Sequence, residues 1–97
     1  MIDKLRPFHL AIPVTDIDLA HYWYTNIFEC KVGRKSDEWI DFNFFGHQLV
    51  AHLVHLKQDS TSTNPVDGEN VPSRHFGIIM QMPDWDELVY ILKQKDI

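Results

Sequence analysis

Two histidines occupy matching points of a repeated pattern. His9 opens Phe8-His9-Leu10-Ala11-Ile12-Pro13-Val14, and His75, sixty-six positions on, opens Arg74-His75-Phe76-Gly77-Ile78-Ile79-Met80. Identical residues fall in step at His9 and His75, Ile12 and Ile78, Asp18 and Asp84, Tyr24 and Tyr90. Leu10 with Phe76, Ala11 with Gly77 and Val14 with Met80 are conservative. Identities this sparse say little alone, but in both places a short apolar strand is followed by an acidic cap and an amphipathic helix, as in a duplication. Imidazole suits Fe(II), Mn, Ni and Zn, and two His with one carboxylate on one side of a metal leave positions open for substrate and O₂. Two imidazoles at equivalent points of a duplicated unit therefore suggest a metal site at a pseudo-twofold axis. For either histidine alone, a hydrogen-bonded side chain at a strand start is the commoner outcome.

The elements that would position them can be taken in chain order. Phe8 to Val14 reads as a buried strand that Pro13, lacking an N–H, pushes toward an edge or a bend. Thr15 and Asp18 have capping-box spacing, and Ile17, Ala20, Tyr24, Ile27 and Phe28 form one helical stripe bordered by Trp23. A helix is expected from about Asp16 to Phe28. Cys30 to Arg34 is a short strand, Ser36-Asp37 a turn, and Glu38 to Phe45 a strand with Ile40, Phe42 and Phe44 on one face. Gly46-His47 is the expected hairpin turn, and Gln48 to Leu56 the returning strand.

Strand alternation sets Trp39, Asp41 and Asn43, and likewise His52, opposite the apolar faces that cover the helix. His52 is thus a candidate ligand, acid/base or pocket wall. Trp39, Asp41 and Asn43 are candidate substrate contacts or simply a solvated sheet face. Arg74, beside His75, could counter an anionic substrate or lie exposed. His21, His47 and His55 read as surface or structural residues, and Trp23, Tyr24 and Trp85 as core.

Lys57 to Ser73 is polar and turn-rich, and reads as a linker or lid with little intrinsic structure. Arg74 to Gln81 should be the first strand of the second unit. Asp84 with Glu87 should cap a helix whose apolar stripe is Trp85, Leu88, Val89 and Leu92. The expected division of a single 1–97 domain is module one at about 8–56, a linker at about 57–73 and the start of module two at about 74–97. By repeat logic three more strands, about 40 residues, belong after Ile97.

Composition narrows the function classes. A chain of 97 residues, 44% hydrophobic, can bury one modest core. Its net charge of −5 and lack of a Lys/Arg run disfavour a nucleic-acid partner, which would require a basic patch. A lone cysteine, Cys30, excludes an internal disulfide. No apolar run approaches the ~20 residues of a membrane span. The expectation is a soluble cytoplasmic protein acting on a small molecule, with neither nucleic acid nor membrane as partner.

The β-α-β-β-β order, the openings His9-Leu10-Ala11-Ile12-Pro13-Val14 and His75-Phe76-Gly77-Ile78, and the helix bearing Ala20 and Trp23-Tyr24 resemble the vicinal oxygen chelate superfamily. That group includes glyoxalases, bleomycin-resistance proteins, fosfomycin-resistance enzymes and extradiol dioxygenases. Trp39-Ile40-Asp41-Phe42, Gly46 through Leu53, and Asn64-Pro65-Val66-Asp67-Gly68 are most similar to its small predicted extradiol-dioxygenase branch. The resemblance implies an α+β fold of paired βαβββ modules in a curved mixed sheet, whose hollow holds a divalent metal, with the second module incomplete in this chain. It implies His9 and His75 as ligands from the first strands and His52 at the fourth-strand position. The usual glutamate of the final strand has no counterpart here. The implied function is extradiol cleavage of a catechol-type substrate on Fe(II), with His52 handling protons and Trp39, Asp41, Asn43 and Arg74 near substrate. The alternatives are a glyoxalase-like isomerase or lyase using Ni or Zn with His52 among its four ligands, and a metal-free antibiotic-binding protein; Mn is a further alternative to Fe(II). A chain that ends at Ile97 would leave the site open and strand edges bare, so a homodimer is expected.

Overall fold

The computed structural model describes residues 3–55, 63–72 and 74–97. Strand β1 (His9–Val14) leads into helix α1 (Ile17–Tyr22), which continues as a π-helical turn over Trp23–Ile27. Strands β2 (Lys31–Lys35), β3 (Trp39–Phe44) and β4 (His47–Leu53) complete a β-α-β-β-β unit. They form a four-stranded mixed sheet in the order β1-β4-β3-β2, in which β1 runs parallel to β4 and the other pairs are antiparallel. The fold class is α+β, as expected.

The period of two in the sequence determines which side chains meet. Ile40, Phe42, Leu49 and Ala51 project from one face and, with Ala20 and Cys30, make the buried core; Phe42 is only 1% exposed. Leu10, Ile12, Val14, Ile17, Tyr24 and Phe28 pack around it. A fully buried side chain of this size contributes about 1.5–3 kcal/mol, so these few residues supply much of what fixes the helix on the sheet. Pro13 sits on an edge strand, where its missing N–H costs no ladder bond.

Local chemistry shifts several boundaries. The cap of α1 is Asp16, not Thr15: its Oδ1 accepts the Leu19 amide at 2.9 Å. The π turn forms where Thr25 Oγ1 donates to the His21 carbonyl (2.6 Å) and Asn26 Nδ2 to the Tyr22 carbonyl (3.0 Å), occupying acceptors one turn back. The hairpin turn between β3 and β4 is Phe45-Gly46, one residue earlier than expected. Both residues have positive φ (52° and 85°), as a type I′ turn requires. His47 is accordingly the first residue of β4.

The stretch expected to be an unstructured linker contains a second hairpin. Strands β5 (Thr63–Val66) and β6 (Glu69–Pro72) pair across Asp67-Gly68, again with two positive φ values (50° and 82°). The rest of that stretch, Lys57 to Ser62 and Ser73, lies outside the described residues. Arg74 to Gln81, expected as a strand, joins no ladder, because a strand exists only beside a partner and none of the described strands lies along it. Helix α2 (Met82–Gln94) starts from Gln81, not from an acidic side-chain cap, with Pro83 in its first turn. Its expected core stripe is only half covered: Trp85 is 54% exposed, Leu88, Val89 and Leu92 are intermediate, and no residue of the helix is buried.

Candidate metal-binding face

The sheet face turned away from α1 carries His9, Trp39, Asp41, Asn43 and His52 of the side chains singled out in the sequence, while Arg74 and His75 lie outside the sheet. Register sets His9 opposite Gln48, Ala11 opposite Val50 and Pro13 opposite His52. Across the next ladder Asn43 faces Gln48, Asp41 faces Val50 and Trp39 faces His52. His9, Gln48 and Asp41 thus lie together, whereas His52 stands beside Pro13, four residues from His9 along β1. At strand rise that is ~13 Å. The residue alongside His9 on the fourth strand is Gln48.

These side chains are connected. His9 Nδ1 and Gln48 Oε1 are 2.7 Å apart, Gln48 Nε2 donates to Asp41 Oδ2 at 3.2 Å, and the same oxygen lies 4.0 Å from Arg34 Nε. The Asp41 side chain is only 13% exposed. A carboxylate can only accept, so it turns the Gln48 –NH₂ toward itself and the amide oxygen toward His9. An amide oxygen also only accepts, so the proton sits on His9 Nδ1. The lone pair of Nε2 is then left for another partner.

His75 is prepared in the same sense. It lies just past β6, exposed, with Nδ1 2.7 Å from the Pro72 carbonyl oxygen, which likewise can only accept. A metal-binding histidine is typically held this way, one ring nitrogen donating to a carbonyl or carboxylate and the other bound to the ion. The donor chemistry at His9 and His75 therefore fits a divalent metal. Among the described residues, no group of three or more His, Cys, Asp or Glu is gathered closely enough to hold one ion.

The remaining candidates have assorted positions. Asn43 Oδ1 accepts the Gly46 amide at 2.9 Å and so closes the β3–β4 turn. Trp39 is half-buried under the Arg34 guanidinium, 5.8 Å from its ring centre. His52 and Arg74 are exposed. His47 has a structural role, its Nδ1 accepting the Phe8 amide at 2.9 Å and its ring meeting Phe8 edge-on. Lys31, Gly33, Arg34, Asp41, Asn43 and Gln48 line part of an open cleft of about 500 Å³ at the β2 end of this face. Gln48 and Arg34 escaped the sequence reading. Parity alone could place Gln48 on this face, but its pairing with His9 depends on a register between residues 39 positions apart.

Residues 6–96 match the family described as the glyoxalase/bleomycin resistance protein/dioxygenase superfamily. The chain belongs to this superfamily. Among solved structures, it superposes on a glyoxalase/bleomycin resistance protein/dioxygenase from Alicyclobacillus acidocaldarius with a TM-score of 0.75 and 36% identity, covering 95% of this chain and 64% of that one. The chain thus spans just under two thirds of that superfamily member's length. The fold is shared with FosX, a fosfomycin resistance protein from Listeria monocytogenes in complex with Mn(II) and sulfate (TM-score 0.55, 18% identity, 99% of this chain and 66% of that one). It is shared also with lactoylglutathione lyase from Agrobacterium tumefaciens (TM-score 0.62, 15% identity, 99% and 74%). No curated protein matches.

Proposed function

We propose that this protein is a metal-dependent enzyme that grips a small substrate through two adjacent oxygens, and that its reaction is extradiol cleavage of a catechol-type ring. The observation that carries the reading is the shared preparation of His9 and His75, each with Nδ1 committed to an oxygen acceptor and Nε2 left over. Two neutral imidazoles with a carboxylate supplied from outside the described residues make the donor set suited to Fe(II), with open positions. The Mn(II) in FosX supports a divalent ion in this fold. When bound, such an ion supplies Lewis acidity and a place for dioxygen beside the substrate.

The chain's own residues would do the rest. Ala11, Pro13 and Val50 form an apolar floor between His9 and His52, flanked by Trp39, which suits a planar ring. His52, at the far end of that floor, would accept or return a substrate proton rather than serve as a ligand beside His9. Arg74 would face an anionic substituent. Asp41 and Asn43 would shape the site through Gln48, Arg34 and Gly46 more than by touching substrate. Both oxygen atoms of O₂ would enter the ring-opened product. A second copy of the chain is the proposed partner, and a small molecule the substrate.

Elemental analysis of anaerobically purified protein, followed by oxygen uptake with catechols, tests this reading. Stoichiometric iron with one O₂ consumed per ring opened is the expected result. Nickel, zinc or manganese without oxygen uptake would replace it with an isomerase or lyase, and a folded protein retaining no metal would replace it with a binding protein. His9→Ala is expected to lose at least ~100-fold in metal affinity; retention of full affinity would remove His9 as a ligand.

A further inference from the structure

In the polar chain that crosses all four strands, His9 to Gln48 to Asp41 to Arg34, the hydrogen bonds run toward the Asp41 carboxylate, and the Arg34 guanidinium lies 4.0 Å beyond it. We propose that Gln48 is a positioning residue that holds His9 in the Nδ1–H tautomer, so that Nε2 is the nitrogen presented to a divalent cation, and that Asp41 fixes the orientation of the Gln48 amide. This rests on the metal reading above and assigns the residue that makes it geometrically possible.

A free glutamine side chain is two-faced, since rotating its amide by half a turn exchanges donor and acceptor. Left alone, Gln48 could present –NH₂ to His9, and the imidazole would then have to offer an unprotonated Nδ1 and carry its proton on Nε2, blocking that nitrogen for ligation. Asp41 removes the choice. Its side chain is mostly covered, it lies on the neighbouring strand, and its Oδ2 accepts from Gln48 Nε2. Arg34 keeps a positive charge 4.0 Å from the same oxygen and spreads over Trp39. The polarity thus passes from a cation on β2, through a carboxylate on β3 and an amide on β4, to an imidazole on β1. Gly33 contributes space: a Cβ there would stand 3.4 Å from the Asp41 Cβ.

Histidine side-chain ¹H–¹⁵N correlation spectra of the metal-free protein, recorded where the rings are neutral, read the tautomer directly. Titration with Mn(II) alone reads the affinity. Wild-type His9 is expected as Nδ1–H. In Gln48→Leu it should move to Nε2–H while His75, held by the Pro72 carbonyl, does not move, and Mn(II) affinity should fall about 10–100-fold. The pair Gln48→Glu with Asp41→Asn should restore both, because the new carboxylate accepts from His9 and the new amide donates to that carboxylate. If Gln48→Leu does not fold, Asp41→Asn alone serves: it frees the Gln48 amide to flip and should give His9 as a mixture of tautomers.

Wild-type His9 found as Nε2–H, or an unchanged tautomer in Gln48→Leu, overturns the proposal. So does a lost tautomer without lost Mn(II) affinity. Failure of the wild type to bind any divalent metal would instead overturn the metal reading, and the spectra would still decide whether Gln48 and Asp41 fix the ring.

Discussion

At the scale of single residues, the helix side of the sheet is closed by aromatic packing. Tyr24 lies with its ring centre 5.0 Å from that of Phe42 and also contacts Phe28 and Phe44, while Cys30 is a buried free thiol. Burial raises the pKa of both groups, and for Tyr24 a charge on Cys30 raises it further. An acid that is harder to ionise in the folded state stabilises the fold below its unfolded pKa and loses that contribution as pH rises through its folded pKa. Stability measured by urea unfolding should therefore hold steady from neutral pH into the ordinary thiol range (~8.5) and then decline through the range of tyrosine (~10). Cys30→Ala should make the decline shallower. A decline of identical steepness in that variant would show that the thiol is not involved. Cys30 read in the sequence only as an unpaired cysteine; its placement against Tyr24 depends on how the helix ends, which composition does not reveal.

At the scale of elements, the helix end is governed by a contact from the far end of the chain. Lys95, 26% exposed at its side chain, donates from Nζ to the carbonyls of Asn26 and Ile27, both at 3.0 Å, and pairs with Glu29 at 3.1 Å. It thereby satisfies carbonyls that a helix C-terminus leaves open and places a cation at the negative end of the dipole. Glu29 itself turns out of the helix with φ of 55°, and the Cys30 amide returns to the Tyr24 carbonyl. Lys95→Ala is expected to lower stability by about 1–2 kcal/mol, and Lys95→Met by a similar amount. No measurable change in urea unfolding would mean that α2 is held by its apolar contacts alone.

Local periodicity made some elements legible and could not reach others. Ile40, Phe42, Leu49 and Ala51 alternate with polar neighbours, so the two central strands and their faces were readable from the residues alone. The Asp67-Gly68 hairpin carried its signal as well, but the polar run around it reads equally as linker, because neither flanking strand has a clean alternation. The segment at residues 74–80 has the composition of a strand and no ladder, since propensity cannot supply a neighbour. Lys95 could not be matched to Asn26 and Ile27 from sequence, because nothing local links positions nearly seventy residues apart.

At the scale of the molecule, the core between α1 and the sheet is closed, while α2 keeps large apolar side chains exposed. Ile79 is fully exposed, Met82 and Tyr90 are each 66% exposed, and together with Trp85 they give α2 and the segment before it an apolar surface. The outer edge of β1 is unpaired among the described strands. Exposed apolar side chains and an open strand edge both favour association with a second copy. Sedimentation velocity on the 97-residue chain should show a concentration-dependent dimer between ~1 and ~100 µM, and Trp85→Glu with Tyr90→Glu should shift it toward monomer. A strictly monomeric species at the upper concentration would assign those side chains to another role. No helix among the described residues is long and apolar enough to cross a membrane.

Because His9 is carried by an edge strand, joined to the rest of the sheet only through its ladder with β4, the imidazole rides on the margin of this surface. Whatever grasps it also clamps the sheet's margin shut. Occupancy and cohesion would then rise and fall together, with the lateral strand acting as the latch between them.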